Sequence, residues 1–301
     1  MSKVKAVRIL VIAIAAVFII QAGYTGYSKL GIYLAQKQAA EVAGESSQEE
    51  NNNFTAPAAK ADNQLKDGTD TEISQEILEL IKASDPAGYE KNKENYINLL
   101  KNLNVHTIFK NEIERLIKEG CKLPDILTAY SYLNDSYGSI GNLEKLVKAK
   151  ESGEGWADIF KAYNKSNPGF KPKSFDSKYL EELLNLSGID EDSIMIADRV
   201  SQNAKADFKD VISKKTEGLS WRLIKAQYGI ANGQEKSPRL SLTREQLTKY
   251  TKQAGLSEEE VVKALTIAQK LGKSADNILK SIKQGLSEEE IYASAYEEKY
   301  Y

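Results

Sequence analysis

Cysteine and histidine are almost absent from this 301-residue chain, which contains one of each, Cys121 and His106. A single cysteine excludes an intramolecular disulfide, so we expect the folded part to obtain its stability from helix packing. A Ser-His-Asp triad could be built only around His106, and the sequence has no Gly-x-Ser-x-Gly motif. A zinc site normally needs several His or Cys ligands, so we predict no metal site and interpret both residues as packing or helix-start residues.

The signatures of nucleotide and polyanion binding are also missing. Gly153-Glu-Gly155 lacks the third glycine of a dinucleotide-binding loop, and the chain has no Gly-Lys-Ser/Thr phosphate loop. The formal net charge of −2 argues against general binding of polyanions. We therefore predict no cofactor and do not expect nucleic acid as a partner.

A long apolar run stands near the N-terminus. Residues 9–28 carry no charge, which is about the length that a bilayer core requires, and the residues before them include Lys3, Lys5 and Arg8. Basic residues on this side favour a cytoplasmic N-terminus. We predict that residues 1–35 form a single-pass anchor in a bacterial cell membrane, with lipid contacts through residues 9–28 and the bulk of the chain outside the cytoplasm. The alternative is a signal peptide, for which Ile20-Gln21-Ala22 would be a poor cleavage site.

The segment that follows, residues 36–70, is rich in Ala, Gln, Asn, Glu and Ser and poor in large apolar side chains, so we predict a disordered linker. From Thr71 onward apolar residues recur at helical spacing, and no strand pattern is evident. Two helices within residues 71–104 are expected to cap a helical repeat region.

The repeat is marked by a glycine that is followed six residues later by isoleucine or valine. This pattern occurs at Gly120, Gly153, Gly188, Gly218, Gly255 and Gly285. Glycine is favoured just beyond a helix C-terminus, because the left-handed conformation there carries a penalty for other residues. Each unit is therefore predicted to be a helix, a tight turn and a second helix. After the last two glycines, Ser257 with Glu260 and Ser287 with Glu290 have the spacing of capping boxes, which assigns these acidic residues a structural role.

The glycine spacings group the units in pairs and predict three modules. We place module 1 at residues 105–166, module 2 at 176–233 and module 3 at 242–301, with linkers at 167–175 and 234–241 rich in turn residues. The sequence predicts an all-α fold but leaves open whether the modules stack into a short α-solenoid or fold into a helical bundle.

Tyrosine is abundant, with 16 residues, and several fall in or just beyond the second helices of the units. Tyrosine is favoured at interfaces, since it buries a large area and keeps a polar tip. The candidate interaction residues are Tyr130, Tyr132, Tyr163, Tyr228 and Tyr296. For the repeated tyrosines the alternative is packing between adjacent helices. We expect a non-catalytic, membrane-anchored binding scaffold for a protein or cell-envelope component.

Two other functions stay open at this stage. The many carboxylates permit a cell-wall hydrolase, although the sequence singles out none of them. The segment Leu186-Ser-Gly-Ile-Asp-Glu-Asp-Ser-Ile194 resembles the hairpin of helix-hairpin-helix domains, which membrane-anchored DNA-uptake receptors combine with an anchor and a polar tether. This resemblance implies a DNA receptor. However, Asp190 replaces the second glycine of that hairpin, and Glu191 and Asp192 would repel phosphate.

Overall fold

The computed structural model describes residues 71–301. Every regular element in this range is helical, with fourteen α-helices and one short 3-10 helix, which confirms the all-α prediction. The extended backbone in this range contributes one isolated bridge, between Ser139 and Ile230. None of the described helices has the length and apolarity needed to span a bilayer. The anchor and linker predicted over residues 1–70 lie outside the described range.

Two helices precede the three predicted modules, and each module range contains four helices. The first two are α1 (Gln75–Ser84) and α2 (Tyr89–Asn102). Module 1 contains α3 (Thr107–Lys118), α4 (Leu123–Ser136), α5 (Leu143–Glu151) and α6 (Trp156–Ser166). Module 2 contains α7 (Ser177–Leu184), α8 (Glu191–Ala204), α9 (Phe208–Thr216) and α10 (Trp221–Gln227). Module 3 contains α11 (Arg244–Ala254), α12 (Glu258–Leu271), α13 (Ala275–Lys283) and α14 (Glu288–Tyr300).

The repeated glycines occupy the turns between paired helices. All six have positive φ, from 68° at Gly255 to 98° at Gly153, and an added Cβ would meet no atom within 4 Å at any of them. The need for glycine is therefore conformational rather than steric. The apolar residue six positions later is buried in every unit, with an exposed fraction of 5% or less. The repeat thus encodes one turn and one core position per unit.

The packing of the modules does not follow their order in the chain. Helix α14 of module 3 packs on α4 and α6 of module 1, and α1 and α2 join the same side. These elements form one continuous apolar cluster, which we call the main core. A solenoid stacked in chain order would place module 2 between modules 1 and 3. Instead, helices α7 to α10 enclose an apolar cluster of their own, the second core.

Aromatic side chains join module 3 to module 1. The rings of Tyr132 and Phe160 stack with centroids 3.7 Å apart, and Tyr292 meets Tyr132 edge-on. At the other end of α14, the hydroxyls of Tyr300 and Ser131 are 2.7 Å apart inside the core. Aromatic pairs of this kind stabilise a core beyond the area they bury, and the hydrogen bond offsets the cost of burying the two hydroxyls.

Module 2 is attached to module 1 through the segment that follows α10. The Asn232 side-chain amide donates to the Asn134 carbonyl over 3.0 Å, and the Ala231 amide donates to the Gly138 carbonyl over 2.9 Å. The Lys225 ammonium, which is fully buried, donates to the Asn232 side-chain oxygen over 2.6 Å and to the Gln234 carbonyl. Hydrogen bonds and the small side chains of Ala226 and Ala231, which belong to the main core, make this attachment, whereas aromatic side chains join module 3 to module 1.

Candidate functional site: a cavity between the three modules

A cavity of about 710 Å³ lies where the three modules meet the linker at residues 167–175. Module 1 contributes the end of α4 and part of α6, module 2 contributes the last turns of α8, and module 3 contributes α12 and the start of α14. The volume is within the range of pockets for small ligands, which often lie between domains.

The end of α4 has a backbone conformation that shapes one wall of the cavity. Tyr137 follows the helix in the left-handed conformation, with φ of 58°, and Gly138 then donates to the Leu133 carbonyl over 2.7 Å. A Cβ at Gly138 would lie 2.4 Å from the Tyr163 hydroxyl, so glycine is required there for close approach. Lys205, which ends α8 and also lines the cavity, is left-handed as well, with φ of 54°. Left-handed non-glycine residues cost free energy and tend to cluster at functional sites.

The linker at residues 167–175 is fastened to α8 by two side chains. The buried carboxylate of Asp198 accepts from the Lys173 backbone amide over 2.8 Å. Gln202 donates to the Lys171 carbonyl over 2.7 Å and to Asp198 over 2.9 Å. Burial raises the pKa of Asp198, and these hydrogen bonds to its carboxylate oppose the rise. The linker therefore forms a fixed wall of the cavity.

Arg199 is the central cation of the cavity. Its guanidinium lies 3.8 Å from the centroid of the Tyr137 ring, and its Nε is buried without a hydrogen-bond partner among the described residues. Burial lowers the pKa of Arg199, and the nearby carboxylate of Asp135 opposes this effect. Tyr292 also lines the cavity, and its buried hydroxyl has no hydrogen-bond partner within the same range.

Asp135 and Lys270 form a connected pair on another wall. The Tyr296 hydroxyl donates to the Asp135 carboxylate over 2.6 Å, and the Asn134 amide donates to it over 2.9 Å. Lys270 donates to the Asp135 backbone carbonyl over 3.0 Å. Burial raises the pKa of Asp135 and lowers that of Lys270, since both lose contact with water. This carboxylate is therefore already engaged by donors from its own chain.

The charge of the lining is strongly positive although the whole chain is slightly acidic. The cationic side chains are Lys171, Arg199, Lys205, Lys263 and Lys270, and the acidic ones are Asp135 and Glu288. Glu288 is paired with Lys263 at 3.1 Å. Carboxamides from Asn164, Asn167, Gln202 and Asn203 add hydrogen-bonding capacity. A cavity with this lining can hold a polar ligand that carries negative charge.

The five candidate tyrosines do not form an exposed surface. Tyr130, Tyr132, Tyr163 and Tyr296 are buried, with exposed fractions of 0%, 4%, 9% and 4%, while Tyr228 is partly exposed beside the second core. The rings of the four buried tyrosines pack between helices, and Tyr130 and Tyr163 share one position of the repeat. Burial raises the pKa of Tyr130, Tyr132, Tyr163, Tyr228 and Tyr296. Of the five, Tyr132 and Tyr163 line the cavity, and Tyr296 reaches it indirectly through Asp135.

The residues interpreted as structural occupy structural positions. Ser257 and Glu260 exchange hydrogen bonds of 3.2 and 2.8 Å, and Ser287 and Glu290 exchange bonds of 3.2 and 2.7 Å. The backbone amides of Ser257 and Ser287, followed by their hydroxyls, lower the pKa of Glu260 and Glu290. A third capping box, between Thr243 and Gln246 at the start of α11, was not predicted from the sequence.

His106 and Cys121 are both buried and lie outside the cavity. His106 precedes α3 and accepts a hydrogen bond at Nδ1 from the Ile108 amide over 3.3 Å, so it acts as an N-cap. Burial raises the pKa of the Cys121 thiol to about 11, which keeps it protonated near neutral pH. Within residues 71–301 no group of three or more His, Cys, Asp or Glu side chains is placed to hold a metal ion.

The segment that resembles a helix-hairpin-helix connects α7 to α8. Gly188 has φ of 74°, and Asp190 caps α8 by accepting from the Ser193 amide over 2.8 Å. Asp192 is paired with Arg239 at 2.8 Å. A phosphate at this turn would need the Ser193 backbone amide and the Arg239 cation, and both are already bound to carboxylates of the protein.

The central residues of the cavity carried no signal of their own in the sequence. Arg199 and Lys270 lie on helices where a charged residue is ordinarily solvated, and only the non-sequential packing of the modules brings them together. Comparison with known proteins adds no further assignment: no protein-family model, no curated protein and no solved structure matches this chain.

Proposed function

We propose that this protein is a membrane-anchored binding protein of the bacterial envelope, which holds a protein or envelope component outside the cytoplasm without converting it chemically. The proposed anchor is residues 9–28, and residues 36–70 are proposed to be the linker that separates the binding part from the bilayer. The observation that carries the binding function is the cavity at the junction of the three modules.

The position of the cavity supports binding because each module supplies part of its wall. A ligand seated there would contact the end of α4, the end of α8 and the helices of module 3 at the same time. Hydrogen bonds from Asn232 and Ala231 help to attach module 2 to module 1, and a ligand in the cavity would add further contacts between the modules. Anything that binds the native state in this way stabilises it.

The alternative of a wall hydrolase would need two carboxyl groups free to act on one bond. The two carboxylates that line the cavity have partners in the protein: Asp135 accepts from Tyr296 and Asn134, and Glu288 is paired with Lys263. Their engagement favours binding over hydrolysis as the proposal.

The proposal is tested by photocrosslinking of the full chain in its native membrane. A photoreactive amino acid is placed at Lys171, an exposed position in the cavity wall, and in a matched variant at Lys252, an exposed position on α11 away from the cavity. We expect a discrete crosslinked product from the variant at position 171 and none from the variant at position 252.

The same proposal is overturned if both positions give the same products or if neither gives any. Incubation of the purified full chain with isolated wall material provides an independent readout. Release of soluble wall fragments by the chain, lost in the E288Q variant, would establish the hydrolase in place of the binding protein.

A further inference from the structure

Three residues that line the cavity carry a buried polar atom without a hydrogen-bond partner among the described residues, and each of these atoms can donate a hydrogen bond. They are the Nε of Arg199 and the hydroxyls of Tyr137 and Tyr292. An unpaired buried donor costs free energy, and an unpaired buried charge costs more, so folded proteins rarely keep either without a reason. Three such groups around one cavity point to a ligand that pairs with at least some of them.

The orientation of Arg199 narrows the chemistry of that ligand. The guanidinium lies over the Tyr137 ring, 3.8 Å from its centroid, and 5.7 Å from the centroid of the Phe170 ring, so two aromatic rings lie against it. A stacked guanidinium presents its N–H edge to a partner, and this edge matches the paired oxygens of a carboxylate or phosphate. No carboxylate of the described residues forms an ion pair with Arg199.

The neighbouring charges add to the same preference. Lys270 reaches the Asp135 backbone carbonyl rather than a carboxylate, and it leaves a positive charge beside Arg199. The Asp135 carboxylate is taken by Tyr296 and Asn134. Arg199 and Lys270 repel each other, the single carboxylate of Asp135 offsets only part of this repulsion, and a bound anion would offset more of it.

We propose that the cavity recognises an oxyanion, a carboxylate or phosphate group of its ligand, through Arg199 with Tyr292 as a second donor. This inference rests on the proposed binding function and specifies its chemistry. It also explains why Arg199 has no ion pair in the protein. An arginine kept free for a ligand destabilises the fold while the site is empty, and ligand binding compensates for that cost.

The test combines stability and binding measurements on the full chain in detergent, with R199M as the main variant. Inorganic pyrophosphate and citrate are the probes, and sodium chloride at matched ionic strength is the control. We expect each effective probe to raise the thermal midpoint of the wild type and to bind at least about tenfold more weakly to R199M, the effect of losing a charged hydrogen bond. If only pyrophosphate stabilises and binds the protein, the group recognised is a phosphate. If only citrate does so, it is a carboxylate.

A purely structural role for Arg199 predicts the opposite change in stability. If the arginine waits for a ligand, R199M without probe should unfold about 2–4 °C higher than the wild type, since a partly buried charge without an ion pair is removed. If the arginine supports the fold, R199M should unfold at a lower temperature. The variant R199K keeps the charge but not the planar fork, so its affinity should fall between the two. The matched control R244M changes an exposed arginine outside the cavity and should leave both readouts unchanged.

The inference is overturned if R199M binds both probes as tightly as the wild type, or if neither probe binds the wild type more than sodium chloride does. Crosslinking through position 171 separates this failure from failure of the binding function. A crosslinked product that persists in R199M, together with unchanged probe binding, would leave the binding function in place and remove the oxyanion from its description.

Discussion

The main core and the second core are built by the same repeat and differ in how they are completed. In both, a glycine turn leads to a buried tryptophan three residues later, and the lysine six residues before that tryptophan lies 5.6 Å from its ring: Lys150 with Trp156, and Lys215 with Trp221. The main core is then closed by α14 with a series of tyrosines, whereas the second core has only its own four helices. The repeat pattern therefore determines the structure of each helix pair, while the helices that pack on this pair determine the size of the core.

The largest effect on stability is expected when α14 is removed by truncation of the chain before Ser287. The helix buries Ile291, Tyr292, Ala293, Tyr296 and Tyr300. At about 1.5–3 kcal/mol for each of the four large side chains, the main core should lose roughly 6–12 kcal/mol, enough to unfold a typical domain. Hydrogen exchange should then show loss of protection throughout module 1. Retained protection in α4 and α6 would contradict a core shared between modules 1 and 3.

A matched pair of truncations compares the cores at the same position of the repeat. Ile126 and Ile224 each stand six residues after a repeat glycine, and both have an exposed fraction of 0%. Each substitution by alanine should cost about 2–5 kcal/mol through lost contacts and a cavity.

The two variants should differ in where the loss appears. I126A should lower the global free energy of unfolding, because its core extends over modules 1 and 3. I224A should increase local opening within residues 176–233, because the second core is smaller and separate. Native-state hydrogen exchange distinguishes these patterns, and uniform loss of protection in both variants would show that the two cores unfold as one.

A titratable group at the attachment of the two cores gives a pH-dependent test. Burial lowers the pKa of Lys225 from 10.5 to about 7. Between these values the unfolded state binds more protons than the folded state, so stability should rise with pH, by at most about 1.4 kcal/mol per pH unit, and the full penalty should apply below pH 7. Urea unfolding of the wild type and K225M from about pH 7 to 9.5 measures the difference. An identical slope in the two proteins would refute a low pKa at this lysine.

The smallest loss of stability is expected from substitution of a turn glycine, and this loss should be equal in the two cores. Gly188 precedes α8 of the second core and Gly285 precedes α14 of module 3, and both have positive φ with open space where a Cβ would stand. Substitution of either glycine by alanine should cost about 1–2 kcal/mol from backbone strain alone. Thermal or urea unfolding compares the variants. A much larger loss at one position would mean that its turn does more than reverse the chain.

The difference between the two cores also explains how much of the fold could be predicted from the sequence. The repeat glycines, the isoleucine or valine six residues after each, and the capping boxes at Ser257 and Ser287 act within a few residues of themselves. Their patterns could therefore be interpreted directly, and the all-α fold followed from them. The direct packing of module 3 on module 1 depends on which helix surfaces fit together, and the repeat pattern is the same for every pairing.

The candidate site was harder to predict from the sequence for the same reason. Tyrosines repeated at one position of the units suggested a surface, but Tyr130 and Tyr163 at this position are buried and pack between helices. Arg199 and Lys270 are far apart in sequence and belong to no motif. At the cavity, the sequence indicates only the end of α4, because Gly138 stands just beyond the helix, where glycine commonly marks a helix stop.

The hydrogen bond between Ser131 and Tyr300 joins residues separated by 169 positions. During synthesis, module 1 and module 2 emerge long before the helix that completes the main core. Until residues 288–300 follow, the apolar surfaces of α4 and α6 lack their cover, while the second core can already close on its own. The middle module can thus fold before the first one is complete, and an interrupted translation product would expose the apolar half of the molecule to aggregation.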